Sequence, residues 1–195
     1  MPVKTLSCEL FEKECKNLYQ KVLESNYKPN LIVAIATGGV HVVHAMGCSM
    51  TVVKTLRLSR KSTLAKKKLN VASILSKLPY CMTNFLRKVE SFWLSKKKRL
   101  TKQEAIADIP SSLLSDINAL AIKSTDKLLI VDDAVDSGVT LFKIVHAIKK
   151  CSPSNVEIKS AAISVTTPAP MILPDFYLSS CILYRFPWSD DYNRT

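Results

Sequence analysis

The sequence Leu128-Leu-Ile-Val-Asp-Asp-Ala-Val-Asp-Ser-Gly-Val-Thr140 joins a short aliphatic run to an acidic cluster and a turn of small residues. An apolar run of this length between polar residues is typical of a strand that is buried on both faces of a parallel sheet. The apolar residues that follow recur at helical spacing, namely Leu141, Ile144, Val145 and Ile148. The stretch therefore predicts a strand, a loop and a helix in succession.

The loop between this strand and this helix has the chemistry of an anion site. Backbone N–H groups at the start of a helix favour a bound anion. We therefore expect a phosphate on the residues Asp136, Ser137, Gly138, Val139 and Thr140. The carboxylates of Asp132 and Asp133 would repel that phosphate unless they face a polyol, a cation or a proton donor, and they suit ribose hydroxyls and Mg²⁺. Asp136 is then free to act as a base.

A plain structural alternative is an acid-capped helix after a buried strand, because acids near a helix start are common. Three acids followed by Ser-Gly-x-Thr exceed what capping requires. We therefore favour a binding site over a cap.

The run 131–140 resembles the phosphoribosyl-diphosphate (PRPP) binding motif of the type I phosphoribosyltransferases. Its third acid, Asp136, followed by Ser137 and Gly138, is most similar to the bacterial xanthine–guanine and hypoxanthine enzymes. Val139 departs from the many relatives that have a second small residue there. The resemblance implies an α/β fold with a mostly parallel twisted sheet flanked by helices. It also implies a magnesium-dependent transferase that takes PRPP and a heterocyclic base, a purine, as substrates.

A second strand, loop and helix occur earlier in the chain, at residues 31–36, 37–39 and 40–48. The chain has only four glycines, and three of them lie in the two strand-to-helix loops: Gly38, Gly39 and Gly138. Glycine belongs where a backbone takes unusual dihedral angles or approaches a ligand closely. The segment 34–39 resembles the pyrophosphate loop of the same family, in which relatives contain a non-proline cis peptide bond.

Thr37 occupies the place where relatives of this family usually have a basic residue before the two glycines. Its hydroxyl and the loop amides of Gly38 and Gly39 can still bind an anion, and the cation would come from Arg57, Arg60 or Lys61. In the family, the segment that corresponds to the basic loop 59–68 is a mobile flap. Such a flap closes over the reacting centre and excludes water.

The C-terminal run Arg185-Phe-Pro-Trp-Ser-Asp190 resembles the segment that holds the purine in the bacterial xanthine–guanine enzymes. The resemblance assigns base contacts to Phe186, Trp188 and Asp190, and a planar aromatic side chain suits stacking on a base. Those enzymes have a lysine before the proline of the preceding loop, which reads the exocyclic oxygen of the purine. Thr167 stands at that position here, so the base specificity does not transfer with the resemblance.

Composition predicts one domain, residues 1–195, because 195 residues with 47% hydrophobic content can bury a core. Within it, a change of the apolar pattern predicts a helical insertion at residues 69–110. Six cysteines without C-x-x-C spacing, and no signal peptide at residues 1–4, favour the reducing cytoplasm. The net charge of +12 is concentrated in residues 54–68 and 96–102. The first cluster has no interleaved aromatic residues, so we expect no nucleic-acid partner.

The remaining elements follow from apolar spacing. The first helix is predicted to bury Phe11, Cys15, Leu18 and Val22 after an N-cap at Ser7, and strands are predicted at 49–58, 156–165 and 176–184. Residues 101–126 are predicted to contain one short helix and an ambiguous segment at 117–122.

Residues 71–100 form a basic amphipathic pattern, for which three roles stay open. A helical cap over the site or a contact in a homo-oligomer is favoured over a peripheral, in-plane membrane helix. Two alternatives to a transferase also stay open. One is a PRPP- or nucleotide-binding regulatory protein of the same fold without transferase activity, and the other is a basic membrane or nucleic-acid binder.

Overall fold

The computed structural model describes residues 1–48, 51–58, 82–85, 89, 100–189 and 191–192. In these residues the elements are β1 (Val3–Thr5), α1 (Cys8–Glu24), β2 (Leu31–Ile35), α2 (Gly38–Met46), β3 (Val52–Leu56), α3 (Lys102–Ala107), α4 (Ser111–Asn118), β4 (Lys127–Val135), α5 (Val139–Cys151), β5 (Glu157–Val165), β6 (Phe176–Ser180) and β7 (Leu183–Arg185). One further helical turn lies at residues 82–85.

Five of these strands form one parallel sheet in the order β3-β2-β4-β5-β6. All five residues of β2 are buried, as expected for a strand with helices on both faces of its sheet. The predicted α/β fold with a mostly parallel sheet and flanking helices is confirmed.

Helices cover the two faces of the sheet in pairs. On one face, α1 buries the four residues predicted from its spacing (Phe11, Cys15, Leu18 and Val22) beside α2. The predicted cap also forms, because the Leu10 N–H donates to Ser7 Oγ at 3.2 Å. On the other face, α5 packs against β4, and α4 packs against α5 and β3, through Leu113, Ile117, Leu141, Ile144 and Ile148. The sheet therefore lies between two apolar layers of helices.

The cysteines that the structure describes are all free thiols. Cys15 lies in the core, where burial, with repulsion from Glu14 and Glu12, raises its pKa to about 12. Such a thiol has little nucleophilic thiolate at neutral pH. Cys15 thus acts as a small core residue, as predicted.

The central strand is longer than predicted, because β4 continues beyond Val131 to Val135. Pairing with β5 continues through Asp132–Ala162 and Val135–Val165, and this ladder keeps the acidic residues extended. Asp132 and Asp133 therefore lie within the strand, and the loop begins only at Asp136.

The prediction of one last strand at residues 176–184 was wrong. β6 ends at Ser180, and Cys181 takes a φ of 57°, which turns the chain out of the main sheet. β7 then pairs with β1 in a separate two-stranded parallel sheet. Apolar residues continue across the turn, so the sequence pattern gave no sign of the break.

The predicted insertion at residues 69–110 lies largely outside the described residues, which also leaves the amphipathic pattern of 71–100 largely untested. Its described end contains α3, which starts with a capping box between Thr101 and Glu104. A second helix, α4, follows at once, where one short helix was predicted. Within the described part of the chain, none of the helices has the length and apolar character to cross a membrane.

Candidate active site

Two strand-to-helix loops meet at one edge of the sheet. β2 and β4 are adjacent and parallel, so the loops after them, at 36–38 and 136–138, leave the same edge. The start of α2 packs directly on β4, since a Cβ on Gly38 would collide with the Asp133 carboxyl group and one on Gly39 would collide with the Val131 carbonyl oxygen. Glycine is therefore required here by close packing of α2 on the strand.

Neither residue directly before a helix at this edge caps that helix with its own side chain, and the first N–H of α5, that of Val139, makes only a long bond of 3.5 Å to Ser137 Oγ. Thr37 precedes α2 with φ −100° and ψ −30° and makes no capping hydrogen bond, and Gly138 precedes α5. By contrast, Ser7 and Thr101 cap α1 and α3. Uncapped N–H groups carry the positive end of the helix dipole. The starts of two helices, a position that favours anions, therefore lie at the same edge of the sheet, one on each face.

The first loop is tied to the edge strand of the sheet. The Ala36 N–H donates to the Leu56 carbonyl oxygen at 2.8 Å. The Ala36–Thr37 peptide bond is cis, as the resemblance implied. Arg57 follows Leu56 directly in the sequence, and both Arg57 and Thr37 are exposed. Arg60 and Lys61, the other predicted cations, lie outside the described residues.

The second loop is supported by the segment that follows β5. Gly138 has a φ of 74°, and a Cβ there would lie 2.9 Å from backbone atoms of Met171 and Ile172. The Met171 N–H donates to the Ser137 carbonyl oxygen at 2.8 Å. A small open depression of about 10 Å³ adjoins this loop and is lined by Asp132, Ala134, Val135, Asp136, Gly138, Thr140 and Leu141. Three of the five predicted phosphate residues, namely Asp136, Gly138 and Thr140, thus line a concave surface.

Two carboxyl groups lie between the helix starts. Asp132 is only 7% exposed, and its Oδ1 accepts from the Asp133 N–H at 3.0 Å. Asp133 Oδ1 accepts from the Ala134 N–H at 2.9 Å. Burial raises the pKa of Asp133 above its usual value and repulsion from Asp136 adds to this, although hydrogen bonds from Asp132 and the backbone oppose it. Such a pair of acids favours a cation or a hydroxyl-bearing ligand.

The third acid has a partner that the sequence analysis missed. Thr166 Oγ1 donates to Asp136 Oδ1 at 2.6 Å, and Thr166 is buried. A short bond to a carboxylate fixes its orientation. The available signal was the pair of threonines before Pro168, of which only Thr167 was considered.

Two of the four predicted base-binding residues, Phe186 and Trp188, lie in an aromatic cluster. Trp188 stacks on Phe186 at 4.8 Å and 5°, and on His41 of α2 at 4.4 Å and 17°. Phe11 of α1 meets the indole edge-on at 4.9 Å. His41 was not predicted, because the sequence offers no reason to join α2 to residue 188.

Of the other two base candidates, Thr167 is half-buried and lies in the loop that follows β5. Asp190 lies outside the described residues.

The described residues contain no group of three His, Cys, Asp or Glu side chains that could hold a metal ion. Mg²⁺ is usually bound by one or two carboxylates together with phosphate oxygens of the substrate. The adjacent carboxyl groups of Asp132 and Asp133 fit an ion that arrives with a diphosphate.

The family model for the phosphoribosyl transferase domain matches residues 5–192, almost the whole chain. The chain belongs to the phosphoribosyltransferase family. This membership confirms the resemblance seen in the acidic motif, and it agrees with the two paired loops at the sheet edge. A comparison with curated protein sequences gave no significant match.

Solved phosphoribosyltransferases have the same fold over nearly the full chain. The purine phosphoribosyltransferase from Pyrococcus horikoshii is 20% identical with a TM-score of 0.53, and the match covers 96% of this chain and 95% of that one. The Helicobacter pylori xanthine–guanine–hypoxanthine phosphoribosyltransferase is 16% identical with a TM-score of 0.57, covering 95% and 91%. A hypothetical Neisseria gonorrhoeae protein with bound ppGpp is 12% identical with a TM-score of 0.55, covering 96% and 89%.

Proposed function

We propose that this phosphoribosyltransferase transfers 5-phosphoribose from PRPP to a nitrogenous base, a purine, and releases pyrophosphate. The observation that carries the proposal is the pair of uncapped helix starts at one sheet edge, with acids between them. PRPP carries a phosphate at one end of its ribose and a diphosphate at the other. Two adjacent anion sites separated by carboxylates match that arrangement of charge and hydroxyl groups.

Each end of PRPP has its own loop in this proposal. Residues 136–140 bind the 5-phosphate through the N–H groups at the start of α5. Residues 37–39 bind the pyrophosphate through the start of α2, and the exposed Arg57 supplies the positive charge that Thr37 lacks. Arg60 has the same predicted role.

Asp132 and Asp133 would hold the ribose hydroxyls and Mg²⁺. The bound ion would neutralise the charge of the leaving pyrophosphate. Burial raises the pKa of Asp133, and a bound Mg²⁺ would oppose this shift by favouring the ionised carboxylate that binds it.

Asp136 is the general base in the proposed transfer. The base nitrogen attacks C1 of the ribose, the bond from C1 to the pyrophosphate oxygen breaks, and Asp136 takes the proton from the nitrogen. The Thr166 hydroxyl holds one carboxylate oxygen at 2.6 Å, which fixes the direction of the other.

A purine acceptor is supported by the aromatic cluster and by the names of the similar enzymes from Pyrococcus and Helicobacter. Trp188, which is half-buried, offers a planar surface for a base, whereas Phe186 is buried and supports Trp188 by stacking on it. Since Trp188 already stacks on the exposed His41, a base that stacks there competes with the imidazole. Asp190 and Thr167 are the proposed polar contacts, with Thr167 in place of the lysine of the xanthine–guanine enzymes.

The substitution Asp136→Asn tests the assignment of Asp136 as the general base. Turnover is expected to fall by about 10²- to 10⁴-fold, the usual contribution of a general base, while PRPP binding is largely kept. Unchanged turnover would remove Asp136 from this role.

A second candidate is a PRPP- or nucleotide-binding regulatory protein without transferase activity. The departures at Thr37 and Thr167 favour this second candidate, because each threonine stands where relatives have a cationic side chain that binds one of the substrates. The bound ppGpp of the similar Neisseria protein is an example of a nucleotide held by this fold. Pyrophosphate release from PRPP separates the two candidates, since a regulator binds the nucleotide without release.

A further inference from the structure

A buried arginine joins the C-terminal segment to the insertion. Arg185, the last residue of β7, is only 1% exposed. Its Nε donates to Asp191 Oδ2 at 3.0 Å, and its Nη1 donates to Thr5 Oγ1 at 2.8 Å. Its Nη2 donates to Thr83 Oγ1 and Asn84 Oδ1, both at 2.8 Å. One guanidinium group thus contacts β1, the helical turn 82–85 and the end of the chain.

The two faces of the segment around β7 have different neighbours. Side chains alternate along a strand, and the rings of Tyr184 and Phe186 pack on the core that contains Phe11. Arg185 points away from that core towards Thr83, which is also only 1% exposed. The turn 82–85 therefore covers the back of the segment whose front carries Phe186 and Trp188.

A buried guanidinium is costly unless its hydrogen bonds are made, and apolar packing would join these elements without that requirement. What the planar, forked group adds is direction, because each N–H fixes one partner in one place. The PRPP loops follow β2 and β4 and are not among these partners. The arginine therefore acts on the base side of the site.

We propose that Arg185 is a positioning residue for the base: by holding the turn 82–85 against the back of the C-terminal segment, it sets the position of Phe186 and Trp188. The insertion then contributes to base binding through the hydrogen bonds of Thr83 and Asn84 with Arg185. This inference rests on the proposed acceptor site, so its test needs one readout that does not depend on turnover.

Asn84→Ala removes one of the two hydrogen bonds from Arg185 Nη2 to the turn 82–85, and Thr5→Val is the matched control, because it removes a bond from the same guanidinium to β1. Because a hydrogen bond to a charged group is stronger than one between neutral groups, we expect Asn84→Ala to raise KM for the base about tenfold and to change KM for PRPP less than about twofold. Asn84→Asp, which keeps an acceptor oxygen, restores the base KM. Both single variants lower Tm, and Thr5→Val leaves the base KM unchanged.

The second readout is the exposure of Trp188. The chain has two tryptophans, so in the Trp93→Phe variant all tryptophan fluorescence comes from Trp188. In that background, Asn84→Ala is expected to increase acrylamide quenching of Trp188 without any substrate, whereas Thr5→Val is not. Equal quenching in the two variants, or an equal rise in KM for both substrates, would overturn the positioning role. An absence of turnover in the wild-type protein would count against the transferase instead, and the quenching result would still decide the inference.

Discussion

Thr166 Oγ1 lies 2.6 Å from Asp136 Oδ1, and this bond joins the loop after β5 to the loop before α5. Thr166→Val keeps the shape of the side chain and removes the donor. A hydrogen bond to a charged group is worth about 1.5–3 kcal/mol, so kcat is expected to fall at least about tenfold while PRPP affinity changes little. Steady-state kinetics and PRPP titration measure the two effects. An unaltered kcat, with Thr55→Val as an exposed control, would show that Asp136 needs no orientation.

Gly138→Ala tests the phosphate loop. Gly138 has a φ of 74° and backbone of Met171 and Ile172 at 2.9 Å from the position of a Cβ, so the loop must shift. Gly47 is the control, because its φ is 71° and nothing lies within 4 Å. Left-handed backbone costs a non-glycine residue about 1–2 kcal/mol, so both alanine variants lose stability. Only Gly138→Ala is expected to weaken PRPP binding, measured by calorimetry. Equal PRPP affinity in both variants would contradict the assignment of this loop.

Asp133→Asn is expected to stabilise the protein in magnesium-free buffer. Burial raises the pKa of Asp133 above its ordinary value of 3.8. At pH values between this ordinary pKa and the raised pKa of the folded state, the folded chain therefore binds more protons than the unfolded chain. Stability then falls as pH rises through this window. The variant should therefore exceed the wild type in urea stability at pH 7, and the difference should shrink as the pH falls towards 4. A constant difference across this range would refute the linkage. We also expect the same variant to bind PRPP and Mg²⁺ more weakly.

Arg57→Ala tests the source of positive charge beside Thr37. The first loop is bonded to Leu56, so a charge at residue 57 lies beside the proposed pyrophosphate. We expect KM for PRPP to rise about fivefold, a modest effect because the side chain is exposed and screened by salt. Lys54→Ala, an equal change of charge within β3, should leave KM for PRPP within about twofold. Equal effects of the two substitutions would indicate a general charge effect.

The sequence predicted the elements whose pattern repeats over several residues. The aliphatic runs of β2 and β4 and the spacing of Phe11, Cys15, Leu18 and Val22 each report burial on a known period. The two glycine-bearing loops were predicted because each follows one of these aliphatic runs. Their adjacency was predictable as well, because neighbouring parallel strands end at the same edge of a sheet.

Contacts between distant residues left no such pattern. β1 and β7 have three residues each, which is too short for an alternation to be seen. The break at Cys181 depends on one dihedral angle within an apolar run. The stack of His41 on Trp188 and the bond from Thr166 to Asp136 depend on how the chain folds back.

The most direct measurement is pyrophosphate release from PRPP by the purified chain in the presence of Mg²⁺, with each of a panel of purines and without a base. We expect release that requires a base, equals nucleotide formation for at least one purine, and is lost in Asp136→Asn. PRPP binding without pyrophosphate release for any base would contradict the transferase and favour the regulator of the same fold.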